Sequence, residues 1–265
     1  MNESANRAFM YGESVFTTMK MVDGQVQNWD YHFDRMRKGI EFVYGPFLDE
    51  ENWKALLKDR LEARYQMESG DKIIRLTVYR DQERGLQSRG LISVMDLKIN
   101  LLASALEHKA HVGSYKLRTC EALTRPEWWP SYLKAGSYLE TILLQRRVLK
   151  PGDDDVLFLS RNDTVLESSI ANIFILRHNT LYTAPAGPNV LEGVMRKRVM
   201  DVARDYFDDC LESETGMDQL FKADGIFGSN SIKGLFLVDQ VDDYKIKYTQ
   251  EVLNKFEVLR SRVSP

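Results

Sequence analysis

At 265 residues, with 43% hydrophobic and 28% charged side chains, the chain is long enough for one large domain or two modest ones with an ample core. A formal net charge of -3 without a dense basic stripe speaks against nucleic acid as the main partner, and no apolar stretch approaches membrane-spanning length. The polar start Met1-Asn2-Glu3-Ser4 does not have the pattern of a signal peptide, and Cys120 and Cys210 have neither metal-ligand spacing nor disulfide density, so a reducing cytoplasm is expected.

In chain order, the first signal is the alternating run at 15–21, followed by Asp23-Gly24 and then Gln25-Val26. An Asp-Gly pair between alternating residues predicts a β-hairpin. From Asp30 the period becomes helical, with Phe33, Met36, Ile40 and Val43 on one face, and a second amphipathic stretch runs over 50–67. Strands are predicted at 73–79 and 91–102, with a polar loop at 81–90 between them. The stretch 104–113, with His108 and His111, has no period. It reads as a linker, and two histidines alone do not complete a zinc site.

Beyond it come a strand at 115–118 and a helix at 138–150, stopped by Pro151-Gly152. A meander is predicted next: a strand at 156–159, a turn at 161–163, one strand over 165–176, a turn at 178–179 and a strand at 181–183. A helix follows Gly193 to about 207, a β run covers 225–238, and an amphipathic helix starts near Thr249. The expected fold class is α+β with mostly antiparallel sheets, lacking the βαβ rhythm of a dinucleotide-binding sheet. The expected organisation is two lobes, 1–104 and 113–265, joined by a linker at 105–112.

Lys134 heads the segment Lys134-Ala135-Gly136-Ser137-Tyr138-Leu139. Further on comes Glu167-Ser168-Ser169-Ile170-Ala171-Asn172-Ile173-Phe174. A lysine followed by such a run points to bound pyridoxal phosphate, because burial frees a lysine amine and a carboxylate suits a pyridinium nitrogen. Four more segments join them in order. These are Tyr11-Gly12-Glu13-Ser14-Val15-Phe16, His32-Phe33-Asp34-Arg35, Leu191-Glu192-Gly193-Val194-Met195-Arg196, and Ser229-Asn230-Ser231 leading to Val238.

Together the six segments resemble the class IV aminotransferase family, the fold-type-IV pyridoxal-phosphate enzymes. That family includes branched-chain aminotransferases, D-amino-acid aminotransferases and 4-amino-4-deoxychorismate lyases. The resemblance implies a D-amino-acid aminotransferase-like fold, pyridoxal 5'-phosphate as cofactor, a small amino substrate and a homodimer. It makes Lys134 the Schiff-base lysine and sets Glu167 against the ring nitrogen. Arg35 and Ser231 go to the phosphate, and the amides of Val194 and Met195 at a helix start add an anion site. Tyr138 stands near the cofactor hydroxyl or packs as core. Taken alone, Arg35 reads as an exposed helix arginine, Glu167 as a strand residue on a wet face, and Gly193 as a plain glycine before a helix.

The closest pattern is that of the lyases. Phe16-Thr17-Thr18 resembles their Phe-Thr-Thr, rather than the Phe-Glu or Tyr-Glu of many transaminases. Arg84, in the 80–86 loop, is similar to their arginine-glycine loop, and Ser229-Asn230-Ser231-Ile232 is similar to their Asn-Ser-Leu. Phe16, Thr18, Arg84 and Asn230 are therefore the expected substrate-binding residues. The implied reaction converts 4-amino-4-deoxychorismate to 4-aminobenzoate and pyruvate, a step toward folate. The alternatives are a branched-chain or D-amino-acid aminotransferase, and a non-catalytic relative acting as a binding protein. The last is motivated by departures from the family pattern. The usual strand ahead of Tyr-Gly-Glu is absent, Glu13-Ser14 stands for the common Asp-Gly, and Leu237 stands for a proline.

Overall fold

The computed structural model describes residues 6–45, 50–65, 70–80, 97–105, 115–122 and 125–263. The chain forms two compact units: residues 1–108 with 132–138, and residues 109–131 with 139–265. A single division at 105–112 therefore leaves out the return of 132–138, the segment carrying Lys134, to the first unit. Of that expected linker, residues 106–112 lie outside the described residues.

The first unit comprises α1 (Arg7–Tyr11), β1 (Ser14–Val22), β2 (Gln25–Val26), α2 (Trp29–Tyr44), α3 (Glu50–Tyr65), β3 (Lys72–Arg80) and β4 (Leu97–Ala105). Its strands form an antiparallel sheet in the order β2-β1-β3-β4. The hairpin turn is Asp23-Gly24 as expected, with φ of 49° and 75°, the left-handed pair that suits the twist of two joined strands. The period of two divides the sheet. Val15, Thr17, Met19 and Met21 of β1 share a buried face with Ile74, Leu76 and Val78 of β3, and α2 packs on β1. The opposite face carries Phe16, Thr18, Arg75 and Thr77. On α2 the buried stripe is Phe33, Met36 and Ile40, continued by Tyr44 rather than the half-buried Val43. The expected strand start at 91 and the loop at 81–90, with Arg84, lie outside the described residues.

The second unit comprises β5 (Lys116–Glu121), α4 (Leu139–Val148), β6 (Asp155–Leu159), β7 (Val165–Ser168), β8 (Asn172–Arg177) and β9 (Thr180–Thr183). It continues with α5 (Val194–Ala203), β10 (Asp209–Glu212), α6 (Met217–Leu220), β11 (Gly225–Asn230), β12 (Gly234–Leu237), β13 (Gln240–Val241), β14 (Tyr244–Lys245) and α7 (Gln250–Val263). The main path through its sheet is β10-β9-β8-β7-β6-β5-β13-β14, with β11 bonded to both β8 and β12. The β5–β6, β5–β13 and β9–β10 pairs are parallel and the rest antiparallel. Strand β8 is buried on both faces. Ile173 and Ile175 enter one core with Leu157, Ile226 and Val238; Phe174 and Leu176 enter another with Met195, Val199, Phe227 and Phe256.

One expected strand divides. Residues 165–176 form β7 and β8 around a tight turn, because the Ser168 hydroxyl accepts the Ala171 N–H at 2.9 Å and draws the backbone out of the ladder. Glu167 thereby comes to sit directly opposite Asn172. The short elements α1, α6, β10, β13 and β14 escaped the sequence reading, since two to five residues hold no period to read.

Candidate functional site

Lys134 is held on the edge of the first unit's sheet. The Phe16 N–H donates to the Lys134 carbonyl at 2.9 Å, the Gly136 N–H donates to the Ser14 carbonyl at 2.9 Å, and Val15 bridges Ala135. This approach requires Gly136: a Cβ there would lie 2.1 Å from Ser14 Oγ. The half-buried Lys134 side chain reaches Tyr138, with Nζ 2.9 Å from the phenol oxygen. The same ammonium lies 4.9 Å from the Phe16 ring centroid, and the Phe16 and Tyr138 rings meet edge to face at 5.6 Å.

Arg75 is a part of this cluster that sequence reasoning missed. Its guanidinium stacks 3.5 Å from the Phe16 ring centroid, and it makes no ion pair among the described residues. Burial pulls its pKa down, opposed by the nearby Tyr138. Thr18 is its direct partner across the β1–β3 ladder. A basic residue in a predicted strand gives no local signal of function. Only the register places it over Phe16.

On the opposite face of β1, Thr17 meets α2. Thr17 Oγ1 lies 2.6 Å from His32 Nδ1, and Arg35 Nη2 donates to the same oxygen at 3.1 Å. All three side chains are buried, so Arg35 is not the exposed helix arginine its pattern alone implies. Burial, then the charges of Arg35 and Lys134, holds the His32 pKa well below its ordinary value of 6.5. A folded pKa below the unfolded one gives stability that is present above pH 6.5 and is lost as pH falls toward the folded value. Urea unfolding should therefore weaken below that pH by up to about 1.4 kcal/mol per pH unit, and His32→Asn should flatten the slope.

In the second unit, Glu167 Oε2 accepts the Leu191 N–H at 2.9 Å and the Asn172 Nδ2–H at 3.0 Å. Asn172 also donates to the Leu191 carbonyl at 2.8 Å, tying the carboxylate to the loop before α5. Gly193 ends that loop and is more than a plain glycine before a helix, since a Cβ there would meet Asn172 Oδ1 at 2.0 Å. Helix α5 then starts at Val194. The side chains of Val194 and Met195 are buried, so what these two residues present at the positive end of the helix is their amides. Ser231 is half-buried in the turn after β11. Asn230 Oδ1 caps that turn by accepting the Ile232 and Lys233 amides at 2.9 and 2.7 Å. Ser229, paired with Asn172 across β11–β8, is buried with its hydroxyl unpartnered among the described residues.

Each unit offers groups of kinds that suit a phosphorylated pyridine: the first a primary amine and a buried guanidinium, the second helix-start amides, an oriented carboxylate and, among the described residues, an orphaned hydroxyl. Among the described residues no group of three or more His, Cys, Asp or Glu is placed to hold a metal, and no helix is long and apolar enough to cross a membrane.

A family model described as amino-transferase class IV matches residues 14–241. The aminodeoxychorismate lyase of Vibrio harveyi is 23% identical over 235 residues, covering 87% of this chain and 83% of that protein. The crystal structure of 4-amino-4-deoxychorismate lyase from Pseudomonas aeruginosa superposes with a TM-score of 0.83 at 21% identity, covering 98% of this chain and 95% of that one. A hypothetical aminotransferase from Mycobacterium tuberculosis in its PLP-bound form gives a TM-score of 0.83 at 20% identity, with 99% and 93% covered.

Proposed function

We propose that this chain, which belongs to the class IV aminotransferase family of pyridoxal 5'-phosphate enzymes, is an aminodeoxychorismate lyase. The observation that carries this reading is the cluster on one face of the first unit's sheet. There an amine, a phenol and a guanidinium with no ion pair among the described residues surround the Phe16 ring. An aromatic wall with a stacked cation suits a cyclic amino acid bearing carboxylates. Phe16 itself has no hydroxyl with which to hold a carboxylate.

Lys134, Arg35, Glu167, the Val194 and Met195 amides and Ser231 would hold the cofactor. When bound, it supplies an electron sink for the pair left on the amino-bearing carbon. Lys134 removes the proton from that carbon, and the Tyr138 hydroxyl steadies the amine at 2.9 Å. The C–O bond to the enolpyruvyl group breaks, its electron pair leaving with the oxygen. The C–H pair becomes a ring π bond, and the leaving enolate takes up a proton to become pyruvate. Arg75 holds a substrate carboxylate, the role that sequence resemblance assigns to Arg84.

The test is direct. Holoenzyme supplied with 4-amino-4-deoxychorismate should release pyruvate and 4-aminobenzoate in equal amounts. Amino exchange between D-alanine or branched-chain amino acids and 2-oxoglutarate, with no pyruvate from aminodeoxychorismate, replaces this reading with a transaminase. No turnover of any amino substrate makes the chain a binding protein. Arg75→Met should raise KM about tenfold to a hundredfold while kcat changes far less, because a carboxylate anchor acts on binding.

A further inference from the structure

Thr17 differs from its neighbours on β1 in where its side chain goes. Phe16 and Thr18 face the amine of Lys134 and the stacked Arg75, whereas Thr17 is fully buried against α2 between His32 and Arg35. A guanidinium only donates, so Thr17 Oγ1 accepts from Arg35 Nη2. The hydroxyl then has one proton to place, and His32 Nδ1, at 2.6 Å, is its one acceptor among the described residues. If His32 Nδ1 carried the proton instead, the Thr17 hydroxyl hydrogen would be buried without a partner. The network therefore selects the His32 tautomer with Nδ1 bare, and neutral His32 fits its burial beside two cations.

We propose that Thr17 and His32 are positioning residues that orient the Arg35 guanidinium for a phosphate monoester dianion, and this rests on the reading of Arg35 as a phosphate ligand. The hydroxyl turns its lone pair to Arg35 because its proton is committed to His32. It is also neutral: a carboxylate in its place would offset the positive charge that a dianion needs. Two helical residues, His32 and Arg35, stand one turn apart on α2, so a single strand hydroxyl reaches both. The pair thus steers the fork without consuming its charge.

The experiment compares the affinities of the apoprotein for pyridoxal 5'-phosphate and for pyridoxal, which lacks the phosphate, by absorbance titration of Thr17→Val, Thr17→Ser, His32→Asn, His32→Leu and Arg35→Leu. Thr17→Val is expected to weaken pyridoxal 5'-phosphate about tenfold and to leave pyridoxal within about twofold of wild type. Thr17→Ser, which keeps the hydroxyl, and His32→Asn, which keeps an acceptor near the Nδ1 position, should restore wild-type binding, while His32→Leu should follow Thr17→Val. The double variant Thr17→Val/Arg35→Leu should bind no more weakly than Arg35→Leu alone.

Thr17→Val binding both compounds as wild type does, beside a phosphate-selective loss in Arg35→Leu, overturns the positioning role and leaves Arg35 as the phosphate ligand. Equal losses for both compounds in Thr17→Val and His32→Leu overturn it as well. An unchanged preference for the phosphorylated compound in Arg35→Leu overturns both the positioning role and the assignment of Arg35.

Discussion

Lys134→Ala is expected to lower turnover by about 10⁴-fold, the upper range for removing a positioned proton carrier. The loss should be chemical rather than structural. The side chain is half-buried and its backbone bonds to β1 do not involve the amine, so the thermal midpoint should stay close to wild type. No neighbour replaces it: Arg75 is a guanidinium that remains protonated, and Tyr138 loses the amine it contacts at 2.9 Å. Borohydride treatment of holoenzyme followed by peptide mass analysis checks the residue directly. Cofactor mass fixed on the peptide carrying residue 134 in wild type, and absent in the variant, is the expected pair of results. A Lys134→Ala protein that turns over normally removes the lysine from the mechanism.

The second large effect is expected at Glu167. Glu167→Gln keeps the shape and an oxygen to accept the Leu191 N–H, but removes the negative charge, and kcat should fall about 10²- to 10³-fold. Asn172→Leu tests the hold on that carboxylate from the other side. It removes the 3.0 Å bond to Glu167 and the 2.8 Å tie to Leu191, leaving the charge in place and still bonded to the Leu191 N–H but less firmly oriented. An intermediate loss, about tenfold in kcat, is expected, because orientation rather than charge is what changes. Both variants need thermal midpoints alongside the kinetics, since Asn172 is buried and its amide packs on Gly193. If Asn172→Leu loses as much turnover as Glu167→Gln at an unchanged midpoint, the separation of charge from orientation fails.

Comparing the sequence reading with the structure, the local features fared best. The Asp23-Gly24 hairpin, the stripe of Phe33, Met36 and Ile40 on α2, and α5 starting after Gly193 all follow from periods of two or 3.6 and from turn chemistry. The strand expected over 165–176 divided because the Ser168 hydroxyl bends the backbone, a competition that hydrophobicity does not register. At the candidate site the residue types were legible while their surroundings were not. Arg35 reads as an exposed helix arginine until Thr17 and His32 are seen to bury it. Asn172 and Ser229 look like ordinary strand residues, and Arg75 like a solvent-facing cation. Asn172 and Ser229 acquire a place at the site only from the residues across their ladders, and Arg75 only from the register that sets it over Phe16.

By itself the sequence determined the element types and the chemistry at hand: an amine, a carboxylate, a guanidinium and a glycine-led helix start, in an order that resembles one family. Those features are local, or are spaced along the chain, and need no knowledge of which strand meets which. The tertiary structure alone decided that the Thr17 face of β1 meets His32 and Arg35 of α2 while the Phe16 face meets Lys134. It alone brought Arg75 over the Phe16 ring and drew Asn172 back against Glu167. Strand register is set by pairing between distant segments, and a shift of one residue reverses every side chain, so no local pattern carries that information.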